Sequence, residues 1–298
     1  MKPDLKYRCL PKKTILQNRY LIKKAISTSA LSIIYLAEDL SCNQLCIVKE
    51  FFPAKLVLRD LDQQTVLHRF SSYKTKFAES RTAFFNEALI LKELEHKNIM
   101  KYLDHFTANN TGYLVTKYYK GITLEQFIVS EKNISIRFFL QQIFIPVLNA
   151  VALLHRKGII HRDLKPSNII INSKNEPVII DFGSAIKFKE VTRKNIFITP
   201  GFSPLEFYSE TAKQGCFSDL YSLAATLYYY YCGKAPVEAS QRVIEDPIEN
   251  IRNYQEFISP CLAKAIMRNL STDPKKRFTS VTWFKMIVYW EIFRLNKS

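Results

Sequence analysis

The sequence predicts an α+β chain of two lobes, a small five-stranded β lobe with one helix and a larger α-helical lobe. Three observations carry this prediction. Residues 20 to 51 hold three short segments rich in Ile, Leu, Val, Tyr and Phe, separated by Ser and Thr and by the polar run DLSCNQ, the pattern of an antiparallel meander. Residues 77 to 95, FAESRTAFFNEALILKELE, repeat apolar side chains at Phe84, Leu91 and Leu94 with charges between them, a helical period in good helix formers. After Gly121 the character changes, and residues 135 to 157 place Phe139, Ile143, Val147, Val151 and Leu154 along one face of a long helix.

Two more strands around 101 to 118 complete the first lobe, so the lobes are expected at 1–117 and 118–298, with one domain covering about 20–290. Gly158 ends the long helix, and Pro146 inside it removes a hydrogen bond to the Gln142 carbonyl, which predicts a kink. Short strands are expected at 169 to 171 and 178 to 180. A further helix is expected from Asp219 to Cys232, with Ser218 as N-cap and Gly233 just past its end. No internal repeat or low-complexity linker interrupts this order.

Nearly half of the 298 residues are hydrophobic and 23% are charged, a globular balance that excludes a disordered chain. The 43 basic and 27 acidic residues leave a formal charge of +16. The basic residues are scattered in short groups, so a solvated basic surface is expected, with an acidic partner or a membrane surface as candidates and nucleic acid disfavoured. Six cysteines form no CxxC pair and the histidines do not cluster near them, so free thiols in a reducing compartment are expected rather than zinc. The N-terminus MKPDLKYRCLPKK lacks the apolar core of a signal peptide. The longest near-apolar runs, such as LYSLAATLYYYYC, fall short of the roughly 18 residues that span a bilayer, so no transmembrane segment is expected.

The chemistry concentrates in HRDLKPSN at 161 to 168 and DFG at 181 to 183, in that order with a strand pair between them. On these motifs the chain resembles the protein kinase family, and bacterial eukaryotic-type (Hanks-type) Ser/Thr kinases in particular, through KEFFP at 49 to 53, LRD at 58 to 60 and TPGFSPLEFY at 199 to 208. The resemblance implies a bilobal kinase fold and transfer of the γ-phosphate of Mg-ATP, or Mn-ATP, to Ser or Thr hydroxyls of a protein substrate, autophosphorylation included. It implies Asp163 as the carboxylate that takes the hydroxyl proton, Lys165 as the cation on the γ-phosphate, and Asn168 and Asp181 as hard oxygen ligands of the metal. Lys49 matches the strand lysine on the α- and β-phosphates, with Glu87 as its helix partner. Glu206 of the APE-like SPLE is expected to pair with Arg277 as a buried bridge, and Asp219 to brace the catalytic loop. Arg162 before Asp163 implies a receiver for an activation-segment phosphate on Thr192 or Thr199. The domain ending with the chain suggests a free-standing cytoplasmic enzyme or a secreted effector.

Two departures stand against the family pattern. The first glycine of the chain is Gly112, and Ser27, Ser29 and Ser32 occupy the positions of the phosphate-loop glycines. Non-glycine residues in a left-handed backbone cost about 1 to 2 kcal/mol each, so an altered loop is expected, its hydroxyls donating to phosphate. Ile47 replaces the small residue usual over the adenine, with Ile26, Ile34 and Ile170 completing the apolar surround. Thr116 falls at the gatekeeper, followed by hinge residues Lys117 and Tyr119. The rival reading is a pseudokinase or nucleotide-binding scaffold, although Lys49, Glu87, Asp163, Asn168 and Asp181 are all retained.

Overall fold

Alternate burial over residues 33–39 and 46–50 marks the middle of an antiparallel sheet. The computed structural model describes residues 7–131, 134–187 and 196–297. In chain order its first unit runs β1 (Ile15–Leu16), β2 (Tyr20–Thr28), β3 (Ser32–Asp39), β4 (Gln44–Phe51), β5 (Val57–Arg59), β6 (Val66–His68), α1 (Lys74–Lys92), β7 (Tyr102–Ala108) and β8 (Thr111–Lys117). The main sheet has the order β1-β2-β3-β4-β8-β7, and β5 and β6 form a separate hairpin. The expected five strands are β2, β3, β4, β7 and β8. The short β1, β5 and β6, with two or three residues each, are too brief to show a period of two, which corrects the strand count. Helix α1 begins three residues ahead of the expected Phe77, at Lys74.

Along β3 and β4 the side chains divide cleanly between two faces. Ile33, Tyr35, Ala37, Cys46 and Val48 enter a core with Tyr20, Ile22, Phe51, Phe77 and Tyr113. Ile34, Leu36, Ile47 and Lys49 take the other, half-exposed face. Glu50 falls on the core side and is buried there. Its carboxylate accepts both Arg59 guanidinium nitrogens at 2.7 Å, the Tyr35 hydroxyl at 2.7 Å and the Tyr113 hydroxyl at 2.9 Å. Arg59 also donates to the Arg8 carbonyl at 2.6 Å and 3.0 Å, tying the N-terminal segment and the β5–β6 hairpin to the back of β4.

The second unit comprises His96–Ile99 and the chain from Lys120 onward, while Met100–Tyr119 belongs to the first. The division therefore differs from a single cut at residue 117. Residues 96 to 99 join the second unit because Asn98 Nδ2 donates to the Pro177 carbonyl at 2.7 Å, the Ile179 amide donates to the Asn98 carbonyl, and Ile99 pairs with Ile179. This unit runs β9 (Gly121–Thr123), α2 (Leu124–Ser130), α3 (Ile136–Arg156), β10 (Ile159–Ile160), β11 (Ile169–Asn172), β12 (Pro177–Ile179), β13 (Ile186–Lys187), α4 (Cys216–Cys232), α5 (Pro260–Asn269) and α6 (Val281–Leu295).

Helix α3 accommodates Pro146 through a π-helical stretch, Phe139–Phe144, in which the Ile145 amide reaches back five residues to the Leu140 carbonyl. The missing proline donor is absorbed by this wider turn. With 21 residues, the most apolar 18 of them at a mean hydropathy of 1.6, α3 is long and apolar enough to cross a membrane, which corrects the expectation that the longest near-apolar runs fall short of a span. Its face of Phe139, Leu140, Ile143, Val147, Val151 and Leu154 is buried in the unit's core. Helix α4 starts at Cys216 with Gly215 as N-cap, so Ser218 lies in its first turn, where its Oγ accepts from the Gly215 amide and donates to Glu206. Gly233 ends α4 at φ +70°, in the left-handed conformation where glycine carries no Cβ penalty.

Glu206 and Arg277 meet in a bidentate pair at 2.8 and 3.1 Å, both side chains buried. Arg277 also donates to the carbonyls of Ser271 and Phe217 and stacks over Tyr221. A buried pair is tolerated when its remaining donors are satisfied, and removing one partner strands the other. Arg277→Ala is therefore expected to destabilise the second unit by about 3 to 5 kcal/mol, read as a fall in the urea midpoint. A loss under about 1 kcal/mol would contradict this role.

Candidate active site

In the first unit, strand and helix bring a cation to the half-exposed sheet face. Lys49, on β4 opposite Ile34 of β3 and Leu114 of β8, places its Nζ 2.8 Å from Glu87 Oε2 on α1. Glu87 is buried, while Lys49 keeps partial access to solvent. Ile34 and Ile47 lie on the same face as Lys49 and are half-buried. Ile47 pairs with Thr116, which is buried. The exposed Lys117 carries its ammonium over the Tyr119 ring, and the Tyr119 hydroxyl accepts from the Lys101 amide at 3.2 Å. Ile26 sits at a register shift between Ala25 and Ser27 and is half exposed.

The serine positions form a closed turn. Ser29 Oγ accepts from the amides of Leu31 at 3.2 Å and Ser32 at 3.0 Å and shares a hydrogen bond with Ser32 Oγ. The Ser29 amide donates to the Ser32 carbonyl at 2.8 Å, and the carbonyls of Leu31 and Ala30 accept from Phe52 and Ala54. None of Ser27, Ser29 and Ser32 adopts a positive φ. The expected left-handed strain is thus absent. The chain has replaced a glycine loop with a serine-capped turn whose residue-29 and residue-32 hydroxyls bond to the loop itself, which corrects the expectation that they are held out for phosphate. Ser27 is exposed beside Ile34 on β2.

The second unit carries its own cluster of acidic, amide and basic side chains. The backbone bends sharply at Arg162, φ 69°, and the amides of His161 and Arg162 donate to the two oxygens of the buried Asp219 at 3.0 Å each. His155 Nε2 joins Asp219 Oδ2 at 2.9 Å. Burial alone would push the His155 imidazole down, but the hydrogen bond to Asp219 carries it up to about 9. The loop so held presents Asp163. Its Oδ1 receives the Thr199 hydroxyl and the Lys165 ammonium, each at 2.9 Å, and its Oδ2 receives Asn168 Nδ2 at 2.8 Å. Lys165 Nζ also donates to Thr199 Oγ1 at 2.9 Å, so carboxylate, ammonium and hydroxyl form a closed triangle.

Asn168 Nδ2 donates a second time, to the Asp163 carbonyl at 2.9 Å. The Ile180 amide donates to the Asn168 carbonyl at 2.9 Å, so Asp181 follows directly on a tie to that residue. Asp181 itself takes φ 60°, a conformation Asp tolerates better than most residues, and its Oδ1 accepts from the Gly183 amide. Phe182 is buried against the His161 ring at 4.6 Å. Strand β13 after DFG pairs with β10 before HRD. Ile170 lies on β11, half-buried between Thr123 and Val178. Arg162 is buried over the Phe207 ring. Thr192 lies outside the described residues, and the Thr199 hydroxyl is hydrogen-bonded to Asp163 and Lys165. Thr199 stands beside Asp163 and Lys165, where its place in the segment before Pro200 puts it, whereas His155 was not anticipated, because helix spacing marks it only as the last turn of α3.

A family model described as protein kinase domain matches residues 54–288. The match begins just beyond β4, so the serine turn and Lys49 precede it. The chain is 31% identical over 284 residues to the serine/threonine-protein kinase PknA of Nostoc sp., covering 89% of this chain and 46% of that protein. It is 29% identical over 279 residues to serine/threonine-protein kinase D of Synechocystis sp., covering 88% and 50%. The chain spans about half the length of these curated relatives. Among solved structures, the apo form of PpkA-294 is similar with a TM-score of 0.81 at 27% identity, covering 94% of this chain and 99% of that one.

Two measurements test this geometry. His155 is protonated in the folded chain up to about pH 9, against an ordinary value of 6.5. The stability it adds is therefore complete below about pH 6.5 and lost as pH rises through about 9. In His155→Gln, unfolding midpoints taken across this window should lose that slope, and an unchanged slope would rule out the His155–Asp219 pair as its source. Ser29→Ala should cost the first unit about 1 kcal/mol and speed amide hydrogen exchange at Leu31 and Ser32. Unchanged exchange at both amides would show that the hydroxyl does not close the turn.

Proposed function

Because the chain belongs to the protein kinase domain family, we propose that it transfers the γ-phosphoryl group of ATP to serine and threonine hydroxyls of a protein substrate. The observation that carries this reading is the triangle of Asp163, Lys165 and Thr199. It supplies a proton acceptor, a cation and a hydroxyl-lined approach at one point of a braced loop.

Each residue has a chemical task that its contacts support. The acceptor hydroxyl oxygen forms a bond to the γ-phosphorus while the bond to the β–γ bridging oxygen breaks, and the hydroxyl proton passes to the Asp163 carboxylate. Lys165, already paired with Asp163, offers its ammonium to the charge on the transferring group. Lys49, oriented by Glu87, serves the α- and β-phosphates as a cation. The Asn168 amide oxygen and the Asp181 carboxylate are hard donors that fit a divalent ion, Mg2+ first and Mn2+ in its place. When bound, that ion neutralises phosphate charge. The short reach from Thr199 to Asp163 favours aliphatic hydroxyls over a phenol. All six cysteines are free thiols, which supports work in a reducing cytoplasm, whether the producing cell's own or that of a host reached by export.

Incubated with labelled ATP and Mg2+, the chain is expected to label itself or a generic basic protein on Ser and Thr. Asp163→Asn should lower kcat by about 10³-fold with ATP affinity retained. Thr199→Ala should lower kcat by about tenfold or more, and Thr199→Ser should restore most of it. If wild type binds ATP measurably yet transfers nothing, the chain is a nucleotide-binding scaffold instead.

A further inference from the structure

Helix α6 is apolar on both sides. Val281, Phe284, Val288 and Ile292 face the core of the second unit. On the opposite side of the helix, at about 100° per residue, Trp283, Met286, Trp290 and Phe293 are 59, 55, 49 and 55% exposed. A solvated helix face ordinarily carries Lys, Glu and Gln there. The helix has one carboxylate, Glu291, and it is buried, bonded to Arg294 and to the Ser259 amide. Trp283 and Trp290 are the two tryptophans of the chain, and both stand on this face, two turns apart. Lys297 holds its ammonium 4.6 Å from the Phe293 ring centroid, and Arg294, ion-paired with Glu291, donates to the carbonyl of the exposed Phe257 at 2.6 Å, so basic side chains rim the apolar surface. The four side chains and Phe257 together expose on the order of 500 Å² of apolar area, at the upper end of what a monomer usually leaves uncovered.

We propose that this face of α6 docks on an anionic lipid bilayer. Tryptophan and phenylalanine beside Lys and Arg are the side chains that settle at the headgroup boundary, the ring in the acyl region and the cation at the lipid phosphates. The formal charge of +16 supplies the second, electrostatic signal that a short apolar patch needs for stable attachment. The same charge argues against a second copy of the chain as the occupant, since pairing two such faces brings two cationic rims and two like net charges together. The docking surface is independent of the phosphoryl-transfer reading, because none of its residues belongs to the catalytic set.

The two tryptophans make the test direct. Adding vesicles of phosphatidylserine and phosphatidylcholine to the full chain should shift the emission to the blue, shield it from iodide and carry the protein into the vesicle pellet. Pure phosphatidylcholine vesicles should do much less, and added salt should weaken the effect. Trp283→Ser combined with Phe293→Ser should lower the bound fraction about tenfold while the urea midpoint and the rate of self-labelling in solution stay unchanged. The proposal is overturned if anionic vesicles leave the emission unaltered, or if the double variant binds as well as wild type, which would assign binding to the basic surface alone. Emission already shifted to the blue in vesicle-free protein that sediments as a dimer would assign the face to a second copy and would equally overturn it.

Discussion

The Asp219 carboxylate, wholly buried, accepts the amides of His161 and Arg162 and the imidazole of His155, and the geometry of the catalytic loop depends on that convergence. Two consecutive amides point at one carboxylate where the backbone leaves the extended conformation, and Arg162 does so in the left-handed region. That conformation costs an arginine about 1 to 2 kcal/mol, and two charge-assisted hydrogen bonds offset it. His155 supplies the positive charge that lets a carboxylate remain ionised at the base of α4. From the bend onward the chain has little freedom. Asp163 emerges from it, Asn168 ties back to both the carbonyl and the carboxylate of Asp163, and Ile180 ties to Asn168, which sets Asp181.

The first unit solves a comparable problem with the two-residue period of a strand. Lys49 and Glu50 are adjacent on β4 and must face opposite sides of the sheet. Each is a charge that would be costly to bury alone, and each has its own counter-charge, Glu87 from α1 for Lys49 and Arg59 from β5 for Glu50. The pairing of Glu50 therefore constrains the direction of Lys49. If Arg59 did not satisfy Glu50, the strand would gain by turning that carboxylate outward, and a one-residue slip would put Lys49 into the apolar core. The two tyrosine hydroxyls on Glu50 and the Arg8 carbonyl on Arg59 complete the hydrogen bonding that makes such a buried pair tolerable.

Much of this was legible in the sequence, and the unread part has identifiable physical causes. HRDLKPSN and DFG place the acidic groups because the chemistry of phosphoryl transfer needs those residue types in that order, and Glu206 with Arg277 followed from the same frame. Strands β3 and β4 were readable because burial alternates along most of their eight residues, and β2 because its apolar residues stand between polar turns. Strands β5 and β6 were not, since three residues show no period, yet one of them delivers Arg59. Pro146 was correctly read as removing a donor, but the wider π turn that accommodates it depends on packing of Phe139 and Phe144 that no local pattern reveals. His155 could not be singled out because its partner is distant in sequence.

The serine turn is where local chemistry and family pattern part most clearly. A glycine loop binds phosphate by presenting backbone amides without a Cβ in the way. Here the amides of Ser29, Leu31 and Ser32 all donate within the turn, and the carbonyls of Ala30 and Leu31 are held by the segment after β4. For the amides of Leu31 and Ser32 to reach a phosphate, the turn must first give up the hydrogen bonds of Ser29 Oγ, and for that of Ser29 its bond to the Ser32 carbonyl. In its closed form it contributes shape and steric cover but little positive potential. The absence of glycine thus leaves a turn closed by side-chain hydroxyls, and the charge on the half-exposed sheet face of the first unit is carried by Lys49, oriented by Glu87 and, behind it, by the Glu50–Arg59 pair.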